Sequence, residues 1–155
     1  NPGDTIIAER GGILKSMTVG HSVESFIQED RTGDLFVTVL HAVGVFSYQT
    51  KTFTLIVGST DSGWQDRPFS AIRFHYPDSL TFLNSHTLLV SDRDNNRLRV
   101  LDLNTNTSSS ICSGQDGQAD GNFSSCSLRS PRGLLMMEDT IYLETSWRIR
   151  KIKGM

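Results

Sequence analysis

Four histidines, His21, His41, His75 and His86, are the first residues to test for chemistry. None falls in the His-x-x-x-His spacing that would bring two ring nitrogens onto one metal ion, so each reads as a structural or solvated side chain. Asp61 with Asp66, and Asp116 with Asp120, offer oxygens to a calcium-binding turn. They lack the dense alternating ligands of calcium loops and read as turn residues. Ser113-Gly114-Gln115-Asp116-Gly117 is followed by no Gly-Lys-Ser/Thr, so it is not a phosphate loop. No Gly-x-Ser-x-Gly elbow is present, and Cys112 has no neighbouring base to activate it as a nucleophile. The expectation is a chain that is not an enzyme and carries no cofactor and no catalytic or metal residue.

Binding chemistry is better represented. Arg97 and Arg99, and again Arg148 and Arg150, stand two apart, so on a strand each pair shares a face. With Trp147 they are the candidate ligand-facing residues; the alternative is that the arginine stems cover apolar surface and the heads pair with acids. Arg93, Arg129 and Arg132 add to this locally basic second half, which could meet RNA. Only Trp147 would serve there as a stacking platform, so nucleic acid is not the expected partner.

The two cysteines, Cys112 and Cys126, bracket a Gly/Asp/Ser-rich loop. A disulfide here would close a loop of about 15 residues and stabilise by roughly 3 kcal/mol. The alternative is a pair of thiols in a reducing compartment. Asn106-Thr107-Ser108 and Asn122-Phe123-Ser124 are N-glycosylation sequons in or beside that loop, which favours the secreted reading.

Composition sets the outer bounds. The 155 residues suit one domain, and 15 Lys+Arg against 17 Asp+Glu leave no broad basic field for generic nucleic-acid binding. No run of about 18 apolar residues predicts a membrane-spanning helix, and the start shows no signal-peptide pattern. Asn1-Pro2-Gly3-Asp4 reads as a processed or engineered boundary.

The elements that must position these residues emerge from self-comparison. Asp66-x-x-Phe69-Ser70-x-x-x-Phe74-x-x-Pro77-x-x-Leu80 returns as Asp120-x-x-Phe123-Ser124-x-x-x-Leu128-x-x-Pro131-x-x-Leu134. Thr87-Leu88-Leu89-Val90 returns as Thr140-Ile141-Tyr142-Leu143, and Arg97-Leu98-Arg99-Val100 as Arg148-Ile149-Arg150-Lys151. The length change between them falls in a polar turn, where strand–turn–strand units tolerate it. A degraded copy begins at Asp34-Leu35-Phe36-Val37-Thr38, and Thr5-Ile6-Ile7-Ala8 with Ile13-Leu14-Lys15 resembles the tail of an earlier unit. Within the middle unit, strands are predicted over residues 78–83, 87–91, 97–103 and 108–112, with turns between them and no helix. Residues 87–91 are continuously apolar, as in a strand covered on both faces.

Pro77, Leu80, Leu88-Leu89-Val90-Ser91-Asp92 and Asn95-Asn96-Arg97-Leu98-Arg99-Val100-Leu101-Asp102-Leu103 together resemble an NHL repeat. The following Gly114, Gly117, Asp120-Gly121, Leu128 and Pro131-x-Gly133-Leu134 resemble the Gly-rich link between blades of that family. The likeness runs from about Thr54 to Ile152. Thr145-Ser146-Trp147 departs from it, having lost the Asp and the Asn-Asn. The resemblance implies an all-β fold of propeller blades, each of four antiparallel strands, with units at about 20–58, 59–114 and 115–155 in one domain over 1–155. It also implies a six-bladed whole, for which blades of about 50 residues need roughly twice this chain, so an incomplete propeller or fragment is expected. Blade edges left open would pair with a protein partner or a second copy.

The expected function is a non-catalytic extracellular binding or structural module for protein or glycan, secreted as part of a larger polypeptide and not inserted in a membrane. Alternatives are an intracellular NHL scaffold for RNA or protein and part of a propeller lyase or hydrolase.

Overall fold

The computed structural model describes residues 4–8, 14–18, 20–66 and 68–153. The first ten of these form a hairpin, β1 (Asp4–Ala8) against β2 (Leu14–Thr18). Three antiparallel sheets follow. The first orders β3 (Val23–Gln28), β4 (Leu35–Val39), β5 (Ala42–Ser47) and β6 (Thr52–Gly58). The second orders β7 (Pro77–Asn84), β8 (Thr87–Asp92), β9 (Arg97–Asp102) and β10 (Thr107–Ile111). The third holds β11 (Leu134–Met137), β12 (Thr140–Thr145) and β13 (Arg148–Lys153). Each is a meander of sequence neighbours, the arrangement that local turns favour. The only helical turn among the described residues is the 3-10 segment Arg93–Asn95, and no helix is long and apolar enough to cross a membrane.

The sheets pack face against face, with β3 and β4 on β7, and β7 on β11. β8 shows why its apolar run is continuous. Leu88 and Val90 enter the core shared with the first sheet, beside Val43, Val57, Ile72 and Phe74. Leu89, pointing the other way, enters the core shared with the third, beside Ile141 and Leu143. All three are fully buried, and burying each such side chain contributes about 1.5–3 kcal/mol.

Three expectations need correction. The third sheet has three strands among the described residues, not four, so the edge of β13 is unpaired. The first sheet has an edge strand, β3, that the degraded copy beginning at Asp34 does not include. Arg99, read as part of a polar face of β9, is wholly buried.

All three sheets share one end. The β4–β5, β8–β9 and β12–β13 turns lie there, as the pairs Val39–Ala42, Asp92–Arg97 and Thr145–Arg148 show. The two long linkers leave β6 and β10 at this end and return to it before β7 and β11, because Gly58 pairs with Ala42 and Ile111 with Leu98. Loops on a rigid sheet scaffold are where binding residues concentrate.

Candidate functional site

The loop end is held rigid from beneath by Arg99. Its guanidinium meets Asp92 at 2.8 Å and Asp66 at 2.7 Å, and its remaining N–H groups donate to the carbonyls of Arg73 and Gln65. Asp66, on the first linker, also accepts from Ser108 (3.1 Å) and Ser110 (2.5 Å) of β10. Asp92 accepts from the His75 backbone N–H and from Asn95. Burial holds the Asp92 carboxyl above its ordinary range, and these donors together with Arg99 offset that only in part. One arginine thus ties the linker, β8 and β9 together, so Arg99 is scaffold and not ligand-facing.

Above this lock lie aromatic side chains and the guanidinium groups that pack on them. Trp64 is 58 % exposed on the first linker, and the Arg97 guanidinium stacks on its ring at 4.9 Å. Among the described residues, Arg97 otherwise makes one long hydrogen bond, 3.4 Å to the Ser113 carbonyl, and its buried Nε has no partner. Gly114 permits this placement: at φ +75° it has no Cβ, and one would sit 2.2 Å from Arg97 Nε. Tyr76, half-exposed, lies under Arg93 at 5.4 Å, and Arg93 is neutralised by Asp94 (2.9 Å) and Asp78 (3.4 Å). His41 meets the Tyr76 ring edge-on, and His75 stacks on it. Trp147 caps the β12–β13 turn at φ +69° and is 94 % exposed. Sequence reasoning found Arg97 and Trp147 but missed Trp64 and Tyr76, whose position depends on a linker with no repeat signature at those residues.

The remaining candidates separate. Arg150 bonds to Asp120 (2.6 Å) and to the carbonyls of Ser127 and Ala119, so it holds the second linker as Arg99 holds the first. Arg148 is exposed and lines a cleft of about 540 Å³ between the disulfide loop and β13. Cys112 and Cys126 are disulfide-bonded at a Cα–Cα distance of 4.6 Å. Asn122, exposed beside them, accepts four hydrogen bonds from Ser124 and Ser125. Asn106 is exposed at the opposite end in the β9–β10 turn. Of the four aspartates weighed as calcium ligands, Asp66 and Asp120 face arginines and Asp116 pairs with Arg129. Among the described residues no three His, Cys, Asp or Glu cluster as a metal site.

No protein-family model and no curated protein matches the sequence. Solved structures do share the fold. An auxiliary nutrient binding protein of Bacteroides thetaiotaomicron superposes with a TM-score of 0.83 at 19 % identity, over 97 % of this chain and 43 % of its own. An auxiliary nutrient binding protein of Bacteroides ovatus gives 0.66 at 12 %, over 88 % and 50 %. A Bacteroides thetaiotaomicron protein described as a putative phosphatase gives 0.74 at 18 %, over 90 % and 37 %. The chain therefore spans half or less of the length of each of these proteins. At these identities the likeness establishes the fold, a stack of antiparallel β-sheets.

Proposed function

We propose that this chain is a segment of an NHL-like β-propeller that serves as a non-catalytic extracellular binding module, taking a saccharide or protein ligand at the loop end. The observation that carries the reading is the set of exposed aromatics Trp64, Tyr76 and Trp147 at the loop end, with the half-buried Arg97 guanidinium on Trp64 and the first linker held by Arg99. Rigid aromatics and arginine dominate binding hot spots because they bury large area at small entropic cost. Two of the structurally similar proteins are described as nutrient binding, which agrees with a binding role. The disulfide is compatible with an oxidising compartment.

The test is titration of soluble glycans and candidate proteins against the chain, followed by tryptophan fluorescence. Trp64→Ala is expected to weaken binding by about tenfold or more. Binding untouched by Trp64→Ala and Trp147→Ala, or turnover of the bound compound, would reject the proposal. Glycan mass on Asn106 or Asn122 in material from the native source tests the extracellular part.

A second role, assembly, is favoured by one further observation. The outer face of the third sheet exposes Leu135, Met137 and Ile149 around Tyr142. At the positions of Tyr142 and Ile149 the second sheet has Leu89 and Leu98, both fully buried beneath the third. A further sheet or a second copy would cover this face in the same way. Sedimentation of Ile149→Lys against the unaltered chain tests self-association, which the charge should abolish.

A further inference from the structure

The seams between successive sheets are fastened by a repeated device at the loop end. The residue before β9, Asn96, accepts the backbone N–H of Ser130 through its side-chain oxygen at 2.9 Å. The residue before β5, His41, accepts the backbone N–H of Tyr76 through Nδ1 at 3.2 Å. Both N–H groups belong to residues held in the left-handed region, Tyr76 at φ +49° and Ser130 at φ +43°. Both residues precede a proline, Pro77 and Pro131. A non-glycine residue with positive φ before a proline is strained and persists only where its surroundings over-determine it. In each case a turn side chain of one sheet pins the strained linker residue that leads into the next.

The two latches differ in chemistry. Asn96 has an amide oxygen, which accepts at any ordinary pH. His41 accepts only while Nδ1 carries no proton, because the facing backbone N–H can only donate. We propose that the seam between the first and second sheets is a pH-operated latch: neutral His41 holds Tyr76 and the first linker, and protonation of His41 releases them, while the Asn96 latch stays closed.

The surroundings of His41 bear on both sides of this balance. The ring is nearly buried, and His75 on the linker lies 5.6 Å away, centroid to centroid. Burial, then the charge of His75, lowers the His41 pKa from its ordinary 6.5. Asp94 on the β8–β9 turn and Asp61 on the linker act in the opposite direction but do not overcome them. Arg93, over Tyr76, is occupied by Asp94 and Asp78. A histidine depressed in the folded state leaves the unfolded chain to bind the proton first. The latch is therefore at full strength above pH 6.5 and weakens as pH falls below it. Tyr76 and His75 belong to the loop end, so release would alter that surface in an acidified compartment, whatever ligand it takes.

Amide hydrogen exchange of the whole chain tests the proposal, with rates corrected for the intrinsic pH dependence of exchange. Between about pH 7.5 and about pH 5, protection of the Tyr76 amide should fall roughly tenfold, while that of Ser130 stays within about twofold. His41→Asn, which installs the chemistry of Asn96, should flatten the Tyr76 response. If that variant does not fold, nitrogen shifts of the His41 ring in the unaltered chain decide the question. Nδ1 should be unprotonated near neutral pH, and its protonation should coincide with loss of Tyr76 protection. Equal pH responses at Tyr76 and Ser130, or a His41 titration that leaves Tyr76 protection unchanged, would overturn the latch.

Discussion

The second and third sheets carry the same arginine at the same register and surround it differently. Arg99 pairs across from Val90, and Arg150 across from Leu143. Each reaches an aspartate on the preceding linker, Asp66 or Asp120. Around Arg99 the ring closes: Asp92 supplies a second carboxylate, and Ser108 and Ser110 of β10 cover Asp66. Around Arg150 it does not. Thr145 stands where Asp92 does, its buried Oγ1 without a partner, and the third sheet has no strand beyond β13 among the described residues. Asp120 is consequently 89 % exposed, against 25 % for Asp66. The first sheet solves the same position without charge: Gly44 replaces the arginine, and the Phe53 ring fills the space a side chain would take. A repeat unit fixes which groups meet; the number of strands and linkers around them fixes whether the meeting is a buried network or a surface pair.

The comparison can be broken most easily at its strongest point. Arg99→Ala strands the buried Asp92 carboxylate and should cost about 3–5 kcal/mol in urea unfolding. Arg150→Ala, where the partner Asp120 is solvent-exposed, should cost no more than about 1 kcal/mol for the ion pair plus its two carbonyl contacts. Similar losses at both sites would show that the two environments are equivalent. The disulfide comes next. Cys112→Ser with Cys126→Ser opens a loop of 14 residues in sequence separation and should lower stability by about 3 kcal/mol. A midpoint unchanged by reduction of the native chain would remove the clamp from the account. The smallest effect belongs to Thr145. Thr145→Val discards an unsatisfied buried hydroxyl and should be neutral or stabilising by up to about 1 kcal/mol. Asp92→Val, at the equivalent position, should instead be strongly destabilising, since it leaves Arg99 buried with one carboxylate fewer. A thermal melt of the two variants side by side sharpens or erases that contrast.

Much of the scaffold is legible in the residues alone. The apolar run of β8, the Asn95-Asn96 turn and the returning Arg-x-Arg pairs mark strands and hairpins, because side-chain alternation and turn conformations are local properties. The aspartates Asp66 and Asp120 are also visible as repeat markers, though not as partners of Arg99 and Arg150. β3 is not legible because Val23–Gln28 carries neither the repeat's marker residues nor an apolar–polar alternation, although its burial alternates.

The sequence by itself determined the all-β meander, the spacing of its units, and the presence of one arginine pair in each of the last two. Only the tertiary structure decided that Arg99 faces inward while Arg97 faces Trp64, that Trp64, Tyr76 and Trp147 share an end, and that His41 and Asn96 do the same work. Strand and turn preferences depend on a residue and its near neighbours. Burial, charge pairing and shared surface depend on segments brought together by packing, and the linkers that bring them carry no periodic pattern to read.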